Sequence, residues 1–156
     1  MVNETMSLKD TITGDITAAM KAKDADRLSV LRMAKAALMN EANKKSADYQ
    51  LSDDESAKVL QKLVSQRKDS IEQFEKAGRD EMAAKERAEL HVLQEYLPQE
   101  ASKEEIERAV AEAIVETGAS TIKEMGAVMK AAQAKLAGKS ADGKLVSETV
   151  KAKLQN

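Results

Sequence analysis

Ser52-Asp53-Asp54-Glu55 opens a run that continues Ser56-Ala-Lys-Val-Leu60-Gln-Lys-Leu63-Val64-Ser-Gln-Arg67-Lys-Asp-Ser-Ile71-Glu-Gln-Phe74-Glu-Lys-Ala and stops at Gly78. Ser52 with Glu55 three residues on is a capping box, in which each side chain satisfies an amide left free by the first helical turn. Leu60, Leu63, Val64, Ile71 and Phe74 recur at helical spacing, and Gly78 supplies the usual stop. A long helix with one apolar face needs other helices to cover it. The expected fold class is therefore all-α.

Working outward, Ser7 and Asp10 form a similar start for a first helix carrying Leu8, Ile12, Ile16, Ala19 and Met20 and ending near Lys23. Residues 1–6 precede that signal and are expected to be a loose tail. Asp26 is the expected cap of a second helix, with Leu28, Leu31, Ala34, Leu38 and Ala42 on one face. A fourth runs from about Arg79 with Met82, Ala83, Leu90 and Leu93, and Leu97-Pro98 ends it because the residue before proline is pushed out of helical geometry. A fresh capping box, Ser102 with Glu105, follows at once. The proline is thus the expected boundary between a four-helix N-terminal domain, 1–97, and a three-helix C-terminal domain, 98–156. Helix five carries Ile106, Val110, Ala113 and Ile114 and ends at Gly118. Helix six carries Ile122, Met125, Met129, Ala132 and Leu136 and ends at Gly138, and helix seven starts after Asp142.

Composition agrees with helices. Aromatics are 2% of the 156 residues and proline occurs once, while Ala, Leu, Lys, Glu and Met dominate. With no cysteine, disulfides, thiolate catalysis and thiolate metal sites are excluded together. No apolar run approaches membrane-spanning length and the first residues lack a signal-peptide core, so no membrane is expected and the cytoplasm is the default.

The chain carries a net charge of −2, yet from Gly118 onward seven lysines face three acids, a local +4. At about 100° per residue, Lys123 and Lys130 fall on one face of helix six with Gly126 nearly between them. A missing side chain there lets a large anionic surface approach; the alternative is that Gly126 permits close helix packing. Gly138-Lys139-Ser140 invites comparison with a phosphate loop, but Gln133 stands where that motif needs a glycine, and a helix leads in. A helix stop and turn is the plainer reading. The loop as a whole still offers helix-start amides at Gly143 flanked by Lys139 and Lys144, with Asp142 as a competitor for those amides. The candidate nucleic-acid-binding residues are Lys123, Gly126, Lys130, Gly138, Lys139, Gly143 and Lys144.

In the first half, Arg67 and Glu86 fall at the centres of apolar stripes and Glu41 near the edge of one. Unpaired charges are not tolerated in such places. Arg67 is expected to pair with Glu86, with Glu41 as a second partner, either as a structural ion pair or as a ligand site. The single His91 has no partner for metal or nucleophilic chemistry, and the paired carboxylates sit at helix starts, where the macrodipole explains them. No catalytic residue, metal site or cofactor is expected.

Met125-Gly126-x-Val128-Met129, Lys135, Gly138 and Asp142-Gly143-Lys144-Leu145-Val146 resemble the GatB/YqeY family. So do Leu31-Arg32-Met33, Val59-Leu60-Gln61-Lys62, Gln66-Arg67-Lys68-Asp69-Ser70-Ile71, Ala77-Gly78-Arg79 and Tyr96-Leu97-Pro98, and the likeness extends from Ser7 to Leu154. Lys130, Ala134 and a longer 138–142 loop depart from the family pattern. The resemblance implies a stand-alone YqeY-like protein. Its C-terminal unit is then similar to the tail of the GatB component of the tRNA-dependent amidotransferase, a carbon-nitrogen ligase with glutamine as amido-N-donor. That tail contacts tRNA, and the chemistry belongs to a separate domain absent from this chain. The implied function is a tRNA-associated accessory module in translation, with an amidotransferase or aminoacyl-tRNA synthetase as the implied protein partner. The alternatives are a partner-dependent amidotransferase component, or a helical adaptor holding a partner helix in an apolar groove.

Overall fold

A computed structural model describes residues 6–155. Among them the fold is all-α, with seven α-helices and no strand: α1 (Leu8–Lys21), α2 (Ala25–Asn43), α3 (Asp53–Lys76), α4 (Asp80–Gln94), α5 (Lys103–Thr117), α6 (Met125–Lys135) and α7 (Gly143–Leu154). A 3-10 turn, Ile122–Glu124, leads into α6. The expected tail, apart from an exposed Met6, lies outside the described residues.

The starts follow the side chains. Ser7, Ser52 and Ser102 each accept a hydrogen bond from the amide three residues on, and Ser52 and Ser102 complete full capping boxes with Glu55 and Glu105. Such a cap stabilises a helix by about 1 kcal/mol. The chain divides into two compact units between Leu97 and Pro98. In the first, Ile12, Leu31, Leu38, Leu60 and Leu93 are fully buried around the α1–α2 and α3–α4 hairpins. In the second, Ile106 and Val110 of α5 meet Val128 and Ala132 of α6 and Val146 and Val150 of α7. Each large aliphatic side chain among these stabilises its unit by roughly 1.5–3 kcal/mol through burial.

Several expectations fail locally. Asp24, not Asp26, caps α2, accepting from the Arg27 amide at 3.1 Å. The chain reverses at Lys23, which takes a left-handed φ of 57°, so Asp24 is the residue left in position to cap. Helix six was expected to include Ile122 and to reach Gly138; instead α6 begins at Met125 and ends at Lys135. The Glu124 carboxylate accepts from the Ser120 amide and the Thr121 hydroxyl, which favours the tighter turn before it. Met20, Met82 and Ile122, assigned to apolar stripes, are exposed. On α4 the inward line is Ala83, Glu86, Leu90 and Leu93, with the small Ala83 fully buried and Met82 turned outward.

Candidate nucleic-acid interface

The basic segment is built from α6, the 136–142 loop and α7. Gly138 takes φ +90°, a conformation that only glycine adopts without strain, and the chain turns there. The loop is then stitched to the residues before α5: the Ser140 amide donates to the Gln99 carbonyl at 3.0 Å, and the Ala101 amide donates to the Ser140 carbonyl at 2.7 Å. Asp142 caps α7, accepting from the Lys144 amide at 3.0 Å. The carboxylate therefore already stands where an anion would approach the start of α7. That arrangement weighs against backbone-phosphate binding at Gly143 itself.

Six of the seven lysines sort into two groups. Lys135 Nζ lies 2.7 Å from Glu116 and 3.9 Å from Glu112, and Lys139 pairs with Glu105. The Glu116 carboxylate raises the pKa of Lys135, while the Lys139 ammonium, helped by the Ser102 amide, lowers that of Glu105. Lys123, Lys130, Lys151 and Lys153 are exposed and make no ion pair among the described residues. Residues 98–117 carry six acids against two bases, so their −4 cancels the +4 of the remainder and the second unit is neutral as a whole.

Lys123 lies in the 3-10 turn and Lys130 in α6, so one α-helix does not carry both as expected, although each is exposed. The 100° step does not carry through that junction. Gly126 is exposed, and a Cβ built on it would meet nothing within 4 Å. It therefore has no close-packing role. Ala127 and Ala134 are also exposed on α6, so Lys130 rises from a surface of small residues.

In the first unit, Arg67 Nε lies 3.2 Å from Glu86 and 3.0 Å from Glu89, and Nη2 donates to Met33 Sδ at 2.8 Å. The guanidinium thus ties α2, α3 and α4 together. Nε and the nearer Glu86 oxygen are buried without an aligned hydrogen bond, so this contact acts through charge rather than direction. The cluster holds one cation against two carboxylates. Glu41 is not part of it: it pairs with Lys44 one turn along α2, at 3.2 Å. Glu89 takes the second place because it follows Glu86 by three residues on the same face of α4. Sequence spacing carried that signal, since Glu86 and Glu89 share a face. The glutamates opposite Lys135 and Lys139 carried none, because those pairings join segments far apart in the chain.

Elsewhere, Arg27 Nη1 meets Glu95 at 2.8 Å and the Tyr96 hydroxyl donates to Asp15, fixing the last turn before Leu97. Burial first, then Asp15, pushes the Tyr96 pKa up. Glu55 accepts from Lys45, from the Ser52 amide and from Tyr49 and is held down to about 2. A cavity of about 120 Å³ beside this clamp is lined by Lys9, Leu38, Met39, Tyr49 and Leu51 among others. Among the described residues no group of three His, Asp or Glu side chains is placed to hold a metal, and no helix is long and apolar enough to cross a membrane.

A family described as Yqey-like protein matches residues 9–154. The Saccharomyces cerevisiae (strain ATCC 204508 / S288c) protein "Altered inheritance of mitochondria protein 41, mitochondrial" is 38% identical over 92 residues, covering 56% of this chain and 47% of its own length. Its namesake in Lachancea thermotolerans is 36% identical over 107 residues, covering 65% of this chain and 55% of that one. "Uncharacterized protein C22F3.15" of Schizosaccharomyces pombe is 32% identical over 96 residues, covering 62% of this chain and 76% of that one. The chain thus matches about half the length of the two mitochondrial relatives. Their names overturn the cytoplasmic expectation. That expectation rested on the lack of an apolar core near the start, a feature amphipathic mitochondrial leaders also lack.

Proposed function

The chain belongs to the YqeY-like family, and from that membership and the charge geometry above we propose that it is a tRNA-associated accessory protein without chemistry of its own. In this reading residues 1–97 and 98–156 act as separate four-helix and three-helix domains, and the second meets the phosphate backbone of a folded RNA. Lys123, Lys130 and Lys144, with Lys151 and Lys153, are the contact residues, and Gly126 leaves room for the backbone to approach. The observation that carries the reading is the set of four exposed lysines, Lys123, Lys130, Lys151 and Lys153, with no acidic partner among the described residues. Phosphate contacts by lysine give salt-dependent, sequence-independent affinity. The three aromatic residues, Tyr49, Phe74 and Tyr96, all lie before the boundary, so base stacking adds nothing on this surface. Recognition is by shape.

The likeness to the tail of the amidotransferase component points to an amidotransferase or aminoacyl-tRNA synthetase as the protein partner, with the chemistry in that partner. Filter binding with bulk tRNA tests the RNA half of the proposal. Wild-type protein should bind weakly, and changing Lys123, Lys130, Lys144, Lys151 and Lys153 to alanine should abolish the binding. Equal retention of RNA by both proteins would overturn it. A purely proteinaceous adaptor is the competing reading, favoured by Val115, which is 83% exposed on the outward face of α5.

A further inference from the structure

Glu105, Glu112 and Glu116 are spaced i, i+7 and i+11 on α5, which brings them within about 20° of one line along the helix. Opposite them stand Lys135, at the end of α6, and Lys139, in the loop. The seam therefore holds three carboxylates against two ammonium groups. Two of its members, Glu105 and Lys139, are held in place by further hydrogen bonds. The Glu105 carboxylate is also held at 3.2 Å by the Ser102 amide of the capping box. The Lys139 backbone is fixed because its neighbour Ser140 is bonded on both sides to Gln99 and Ala101. Lys135 and Lys139 are accordingly lysines of the basic segment that a phosphate would have to win from an acid already in position.

We propose that Glu105, Glu112 and Glu116 determine RNA selectivity by competing with phosphate for Lys135 and Lys139, an inference that rests on the RNA-binding reading above. A flexible polyanion that wraps any positive surface meets a seam of net negative charge along α5 and gains only the unpaired lysines. A folded RNA whose phosphates match Lys123, Lys130, Lys151 and Lys153 does not need the seam. The carboxylates thus suppress the wrong partner more than the right one, which is how specificity is gained by a repulsive element. Exposed ion pairs of this kind are weak, so the effect is one of degree.

The test uses the full chain, with bulk tRNA and single-stranded poly(U) as probes, over a range of salt. Glu112→Gln with Glu116→Gln should tighten poly(U) binding about three- to tenfold. The same change should tighten tRNA binding less and make the salt dependence of poly(U) binding steeper by about one phosphate contact. Glu105→Gln, which keeps the capping hydrogen bonds through its amide, should act in the same direction through Lys139. Glu104→Gln with Glu107→Gln makes the same change in net charge on exposed acids that face neither lysine, and should leave selectivity as it is. Equal gains from the two double variants would overturn the proposal in favour of net charge alone. Wild-type binding that Glu112→Gln with Glu116→Gln leaves unaltered would reduce the seam to a structural staple between helices. If neither the wild type nor any variant binds either probe, the RNA reading itself falls, and the selectivity proposal with it.

Discussion

Replacing Arg67 by methionine should destabilise the first unit far more than replacing either of its glutamate partners by glutamine. The asymmetry follows from the count of charges. Among the described residues Arg67 is the cation paired with Glu86 and Glu89, whose side chains are 22% and 19% exposed. Removing Arg67 leaves two largely buried carboxylates side by side with nothing to offset them, at a cost of about 2–3 kcal/mol, below the range for fully buried pairs because some water reaches them. Removing Glu86 leaves Arg67 with Glu89 3.0 Å away and relieves the repulsion between two acids. Glu86→Gln should therefore change stability by less than about 1 kcal/mol. A triple replacement of Arg67, Glu86 and Glu89 by Met, Leu and Met should recover most of the loss, since apolar groups of similar volume substitute well for such clusters. Urea unfolding followed by tyrosine fluorescence reads this unit specifically, because there is no tryptophan and both tyrosines precede Leu97. A Glu86→Gln loss as large as that of Arg67→Met would mean that the excess of acid does not govern this cluster.

Other predictions concern single contacts. Tyr96→Phe keeps the ring but takes the hydroxyl from Asp15, and thermal unfolding should register about 1 kcal/mol of lost stability. Because the Tyr96 pKa is raised in the folded state, the stability it contributes is present below the unfolded tyrosine pKa and is lost as pH climbs through the folded one. Alkaline difference spectra should accordingly show Tyr96 protonated after free tyrosine has ionised. For Glu55 the sign is opposite: its pKa falls from 4.5 to about 2, so its contribution is present above 4.5 and disappears as pH drops towards 2. The acid limb of the stability curve should flatten in Glu55→Gln. Gly118→Ala forces a side chain into φ +68° at the end of α5 and should cost about 1 kcal/mol in calorimetry, although no neighbour crowds the new methyl.

Local rules of hydrogen bonding and periodicity carry most of the helical fold. Ser7, Ser52 and Ser102 announce their helices because each side chain acts within three residues. Gly78, Gly118 and Gly138 all take left-handed φ at their turns for the same local reason. Sequence reading fails where the deciding contact is remote or the choice is between adjacent residues. Asp24 and Asp26 are equally good caps until the turn at Lys23 selects one. Met82 outranks Ala83 in hydrophobicity, but Ala83, in line with Glu86, Leu90 and Leu93, is the one that is buried, while Met82 is turned outward. The basic segment illustrates the remote case. Its lysines are visible in order along the chain, whereas Glu105 lies 34 residues from Lys139, and no local pattern says that this acid rather than solvent will meet it. Counting charges by segment therefore overstates the field of a unit whose residues 98–117 cancel it.

Whether residues 98–156 meet an RNA phosphate backbone is decided by the salt dependence of tRNA binding. With Lys123, Lys130, Lys144, Lys151 and Lys153 meeting phosphates, log K for wild-type protein should fall against log salt with a slope of about −4. Absence of binding at low salt, or binding that salt leaves unchanged, would contradict a phosphate-reading surface on residues 98–156.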